Sequence, residues 1–208
     1  MDPEENTYLE QEENASYFSR YKYHIGFVVL IAAGLFMLFV VTLGYYPIIF
    51  VNNHIISQHE FMLEYGAASR YYKTAMKTYE PLLKNASSPT PADIEVSVAN
   101  LLIDKNLIHD GAAKEVGSDL KSVVENKLSA YEGDTQLASA AENIYGFTPD
   151  EFKNEILIPQ AEEEVLSGRL FSKGESFEDW LVDARKSAHV IILSHSLSWD
   201  GEQVIFNQ

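Results

Sequence analysis

No cysteine occurs among the 208 residues. That absence excludes disulfides, thiolate chemistry, Cys-ligated zinc and a lipid-modified cysteine anchor. Cations are scarce as well: 15 Lys and Arg stand against 31 Asp and Glu, a formal net charge of −16. Nucleic-acid affinity comes largely from Lys and Arg neutralising phosphates, so no nucleic-acid partner is expected. The sequence also lacks a Gly-rich phosphate loop, a His-Glu-x-x-His motif and a Gly-x-Ser-x-Gly elbow. The six histidines, His24, His54, His59, His109, His189 and His195, show no i, i+4 pair. They read as surface or turn residues rather than a metal site. Glu151, Glu155 and the three glutamates at 162–164 spread around a helix and read as a solvated face rather than an acid–base pair. No catalytic residue, metal or cofactor is expected.

Charge is missing altogether from residues 25–50. A bilayer core needs roughly 20 apolar residues in a helix, and this run supplies nearly that many before Gly44-Tyr45-Tyr46-Pro47 ends it. Residues 25–46 therefore read as a transmembrane helix. Arg20 and Lys22 lie before it, and no Lys or Arg follows until Arg70. The positive-inside rule then places the N-terminus in the cytoplasm and the main domain outside a single-pass cell-membrane anchor. A cleaved signal peptide is the alternative, with Thr42 and Gly44 as a poor cleavage site. Residues 1–24, rich in Glu and poor in core formers, are expected to be a disordered cytoplasmic tail. Residues 47–208 suffice for one domain with a core of its own.

In that domain, residues 47–51 and 54–56 read as two strands joined at Asn52-Asn53, because Asn tolerates the positive φ of a tight turn. Ser57, followed three residues later by Glu60, is a capping box that opens a helix. Phe61, Tyr65, Ala68, Tyr72, Met76 and Tyr79 put one apolar stripe on a helix over 58–79, ahead of a breaker-rich loop at 85–91. Further helices are expected from about Ala92, over 116–131, and around 137–145. Gly146 can end a helix left-handed, and Thr148, Pro149 and Glu151 supply an N-cap, a first-turn proline and a capping-box acid for the next. Pro159 should kink that helix. A last helix opens at Ser176. The period then changes: 190–193 read as a strand, and the sequence around Asp200-Gly201 as a second hairpin. Strands at both ends of a helical block are most simply paired with each other. The fold class is thus mainly α with a small β element closed by strands from both ends.

Four stretches carry a resemblance. VNNHIISQHEF resembles the opening motif of the SurA N-terminal chaperone domain family, the noncatalytic part of parvulin-type foldases. Val51, Asn52, Ile56, Ser57, Glu60 and Phe61 match it, and Asn53 stands where Gly is common. NLLIDKNLIHDGAAKEVG, YGFTPDEFKNEILIPQ and FEDWLVDARKSAHVIIL are similar to later segments of that domain, in the same order. The likeness covers about residues 47–200. It implies a SurA N-like helical domain that binds unfolded or secreted polypeptides. Members with prolyl isomerase activity carry an added parvulin domain, for which no stretch here has room, so a chaperone without the enzyme is expected. The alternatives are a membrane-tethered adaptor for one folded partner and, third, a degenerate isomerase.

A holdase needs apolar surface that its own core does not consume, and aromatic and Met side chains suit that need. The helix over 58–79 carries more of these than one stripe requires. Met62, Tyr65, Tyr71 and Met76 are the candidate client-binding residues, with Met62 and Tyr71 off the inward face. Alternatively, they cover neighbouring helices or sit near lipid headgroups.

Overall fold

The computed structural model describes residues 24–79, 89–131 and 133–207, the side chains of 77–79 apart. The expected tail, most of the 85–91 loop and the Tyr79 side chain lie outside these. The chain divides into two compact units, one up to Tyr45 and one from Tyr46 onward.

The first unit contains α1 (His24–Thr42), which is long and apolar enough to cross a membrane, with mean hydropathy 2.8 and none of its apolar window buried. At about 1.5 Å per residue, such a helix is close to the thickness of a bilayer core. It stops at Thr42, four residues before the expected end. Gly44 takes φ 73°, and the Tyr45 N–H donates back to the Val40 carbonyl at 3.0 Å, closing the last turn.

In the second unit, β1 (Pro47–Val51) is the central strand of a three-stranded sheet. β2 (His54–Ser57) pairs with it through the expected tight turn, where Asn52 takes φ 52°. β3 (Val190–Ile192) pairs on its other edge, Ile49 opposite Ile192 and Phe50 opposite Ile191. The two ends of the domain do close on each other. β4 (Leu197–Trp199) and β5 (Val204–Phe206) form a separate antiparallel pair, turned by Asp200, whose Oδ1 accepts from the backbone N–H groups of Glu202 and Gln203.

Helix α2 (Gln58–Tyr79) starts where expected, with the Glu60 N–H donating to Ser57 Oγ at 3.2 Å. α3 (Pro91–Val116) opens on a capping box between Thr90 and Asp93 that the sequence reading missed. It extends to Val116, so the next helix begins later than read: a 3-10 turn (Gly117–Asp119) precedes α4 (Leu120–Leu128), and another (Ser129–Tyr131) follows it. α5 (Thr135–Ile144) is capped by Asp134. α6 (Pro149–Phe152) has the full Thr148–Glu151 capping box.

Where a kink is expected at Pro159, the structure shows a π turn just before it. Proline lacks an N–H and its ring collides with the carbonyl four residues back, here Glu155. The chain widens into one π turn at Lys153–Leu157 and resumes as α7 (Ile158–Lys173), with Pro159 in the first turn. α8 (Phe177–Ser187) follows, capped by Ser176.

α3 runs through the middle of the unit and is buried on several sides. Its first half packs Ile94, Val98, Leu102 and Ile103 against the inward sheet residues Ile49, Val51 and Ile56. Its second half packs Ile108 and Ala112 against α4 and α7. A third cluster, Ala67 with Ala141, Phe147 and Phe152, joins α2 to α5 and α6. α3 and α8 approach closely at Gly111, where a Cβ would lie 2.4 Å from Cζ2 of Trp180.

Candidate functional site

Helix α2 has three differently occupied sides, which decides where the four candidate residues go. Phe61 lies in the core; Met62, next to it, is exposed and lines a shallow depression with Tyr46, Ile48 and Leu193. Tyr65 and Met76 line a cleft with Tyr72 and Ile94, between α2 and the start of α3. Tyr71 is exposed and stacks on Tyr145, ring centroids 5.8 Å apart and planes at 7°. The four therefore do not line one groove. A helix with a 3.6-residue period sends positions 62 and 71 in two directions and 65 and 76 together in a third, so the four fall in three separate places.

Tyr71 belongs to a groove that no sequence pattern marked. It runs between α2 and α3, with a volume of about 200 Å³, and is walled by Tyr71, Tyr72, Val98, Leu101, Tyr145 and Ile156. Leu101 and Tyr71 stand exposed at its mouth. Behind Tyr145, Phe147 stacks at 6.0 Å and Phe152 lies 6.1 Å away, so the aromatic wall is backed by core. Sites for drug-sized molecules are about 300–1,000 Å³. This groove is smaller and suits one or two apolar side chains of a larger ligand.

Glu64 lies at the floor of the groove and is buried, 3% exposed. Lys105 of α3 donates to it, and the same ammonium lies 3.4 Å from Oε2 of Glu155 in the π turn. Burial pushes the Glu64 carboxyl above its ordinary value, against the attraction of Lys105. Glu60, one turn earlier on α2, is also pushed up, first by burial and then by the charge of Glu155. Three carboxylates thus share one lysine.

The array continues along α3. His109 Nδ1 lies 2.9 Å from Oε1 of Glu162, which is buried, and its ring meets that of His54 edge to face at 5.9 Å. His54 Nε2 lies 2.7 Å from Oδ1 of Asp110. Asp104 accepts two bonds from Arg185 of α8, at 2.7 and 2.5 Å, and these raise the guanidinium pKa.

These contacts correct one reading and add to another. Glu155 and Glu162 are not a solvated face: they are the partners of Lys105 and His109. His54 and His109 do lie at the surface or a turn as read, His109 exposed and His54 partly buried, but each is paired with a carboxylate. Sequence reasoning could have caught the array from Glu60 and Glu64, and from Lys105 and His109. Each pair is four residues apart on its helix, a spacing that places both members on one face.

Among the described residues, no three His, Asp or Glu side chains are grouped to hold a metal ion, and every buried side-chain polar atom has a partner. The ion pairs tie α2, α3, the π turn and α7 together, fixing the helices that wall the groove. The motif residues Val51, Asn52, Asn53, Ser57, Glu60 and Phe61 form the first hairpin and the start of α2, while Gly146, Thr148 and Glu151 form the junction from α5 to α6. Asn53 completes the turn without a positive φ, since only Asn52 among the described non-glycine residues has one.

No family model, curated protein or solved structure matches this chain.

Proposed function

We propose that the chain is a membrane-anchored holdase, which binds unfolded or secreted polypeptides outside the membrane and acts by binding rather than by prolyl isomerisation. The observation that carries this reading is the α2–α3 groove, an apolar channel with exposed Leu101 and Tyr71 at its mouth. Aromatic rings and Leu bury large areas with few geometric demands, the property a binder of many sequences needs. The ion-paired floor keeps the groove from collapsing on itself. The SurA N-like motifs at both ends of the domain support the same reading, because the segments that carry them pair in one sheet. Arg20 and Lys22 favour a cytoplasmic N-terminus. The acidic surface keeps such a binder soluble and attracts basic client segments.

The test is suppression of aggregation. With the full chain in lipid nanodiscs and a chemically unfolded client diluted into buffer, light scattering should fall in proportion to added protein. Unchanged scattering at molar excess would end the holdase reading. Crosslinking in the native membrane separates the adaptor alternative, which would return one stoichiometric folded partner in place of many clients. Acceleration of a proline-limited refolding reaction would restore the isomerase.

A further inference from the structure

The three strands of the first sheet contain no Asp, Glu, Lys or Arg, in a chain that carries 46 such residues. Their inward side chains, Ile49, Val51 and Ile56, are buried. The opposite face is apolar too. Ile55, Phe50 and Ile191 lie side by side in one row across the sheet, and Leu193 follows where its N–H bonds the Ile48 carbonyl. Ile55 is 61% exposed and Leu193 57%. Beside it, Ile48 and Leu193 lead into the depression where they meet Met62 and Tyr46, and Glu95 and His195 stand on the wall of that depression.

We propose that this face is a second membrane contact, resting on the lipid interface of the bilayer that α1 crosses. The inference builds on the reading of α1 as a span. Three observations select lipid as the occupant. First, β1 begins at Pro47 and α1 ends at Thr42. At about 3.3–3.6 Å per extended residue, the step from Thr42 to Pro47 limits the start of the sheet to at most roughly 18 Å from the end of α1, about two to three headgroup layers. Second, that connection contains Tyr45 and Tyr46, both exposed, and tyrosine concentrates at the headgroup level. Third, the chain carries a large excess of carboxylates, which anionic headgroups repel, whereas an uncharged face can approach them. The contact is by side chains alone. Both outer strands of the sheet have an unpaired edge, and unpaired backbone groups do not enter hydrocarbon, so the face lies at interface depth.

The absence of cysteine makes the test direct. Ile55→Cys, Ile191→Cys and Leu193→Cys, each as a single substitution in the full chain, are labelled with an environment-sensitive fluorophore and assembled into phosphatidylcholine nanodiscs. Leu35→Cys in α1 and Lys121→Cys on the exposed face of α4 serve as references. Quenching by doxyl-labelled lipid should be severalfold stronger at 55, 191 and 193 than at 121, and quenching by aqueous iodide correspondingly weaker. An Ile191→Glu, Leu193→Glu double variant should lose the lipid quenching at 55 while the Trp180 and Trp199 fluorescence of the folded domain stays unchanged. Sheet labels that behave like the one at 121 would overturn the proposal. So would iodide protection that grows with protein per disc without lipid quenching, since a second copy would then cover the face. A label at 35 beyond reach of the lipid quencher would remove the span and this contact together, whereas lipid quenching at 35 alone would reject only the contact.

Discussion

Asn52 and His189 are joined by two hydrogen bonds: the Asn52 N–H donates to the His189 carbonyl at 2.9 Å, and the His189 N–H donates to Asn52 Oδ1 at 3.0 Å. One residue thus makes the first turn left-handed and anchors the entry of β3. Asn52→Gly keeps the backbone freedom and loses the side-chain bond, and should cost about 1 kcal/mol. Asn52→Ala loses both and should cost about 1–2 kcal/mol more. Urea denaturation of the two variants, followed by Trp fluorescence, measures the difference; equal losses would assign the whole effect to the hydrogen bond.

Among the described residues, Lys105 is the sole cation in ion-pair contact with the buried Glu64 carboxylate. Lys105→Met strands Glu64 and Glu155 together, and breaking a buried pair from one side costs about 3–5 kcal/mol. The loss should be largest at neutral pH and should shrink in acid, where Glu64 accepts a proton. Denaturation at neutral and mildly acidic pH checks both statements.

Glu60 gives the sharper pH test. Its carboxyl is pushed above the ordinary value of 4.5, mainly by burial. A raised carboxyl contributes its stability below 4.5 and loses it as pH climbs through the higher folded value. Wild type should therefore lose stability relative to Glu60→Gln as pH rises from 4.5 into that window. The helix-cap acids Asp93 and Glu151 act in the opposite direction, being held below the ordinary range by hydrogen bonds from Thr90 and Thr148. Their contribution cancels when the two denaturation curves are subtracted at each pH, and a flat difference curve would show Glu60 to be unperturbed.

Gly111→Ala drives a methyl into Trp180 and should cost about 1–3 kcal/mol, the usual range for overpacking. Gly168→Ala meets nothing within 4 Å on the exposed side of α7 and should stabilise by about 0.4–1 kcal/mol. Thermal denaturation of the pair should shift the midpoint in opposite directions.

Leu101→Asp places a charge at the mouth of the groove on a side chain already 43% exposed, so the fold should tolerate it. A fully buried Leu is worth about 1.5–3 kcal/mol, so losing its contact with a client should weaken capture about tenfold. Light-scattering titration compares this variant with wild type. Lys121→Asp, on the exposed face of α4 and away from the groove, should leave capture unchanged.

Local signals made most of this fold legible. Ser57, Thr148 and Ser176 mark helix starts through bonds to residues two or three positions away, Pro149 does so by its fixed φ, Asp200 marks a turn through bonds of the same local kind, and Asn52 marks one by its tolerance of positive φ. The pairing of β1 with β3 followed from having strands at both ends and nothing else to pair them with. The site was harder to read. Lys105 meets partners 41 and 50 residues away, and the groove wall joins Tyr71 to Tyr145 across α2 and α5. Such contacts depend on how helices cross, and periodicity within one helix does not encode that. Glu64 was hidden because an acid on an inward stripe reads as solvated until its partner is found.

The position of β1 at the centre of its sheet sets a timetable for biosynthesis. Ile49 must wait for Ile192, about 140 residues later, before its second edge is covered. At about 5–20 residues per second, the ribosome leaves that edge open for roughly 7–30 s. Over this interval the β1–β2 hairpin, only marginally stable alone, stands as a bare apolar template. The unfinished domain therefore shares the exposure of other slow, non-local β pairings and needs its edge shielded until synthesis reaches β3.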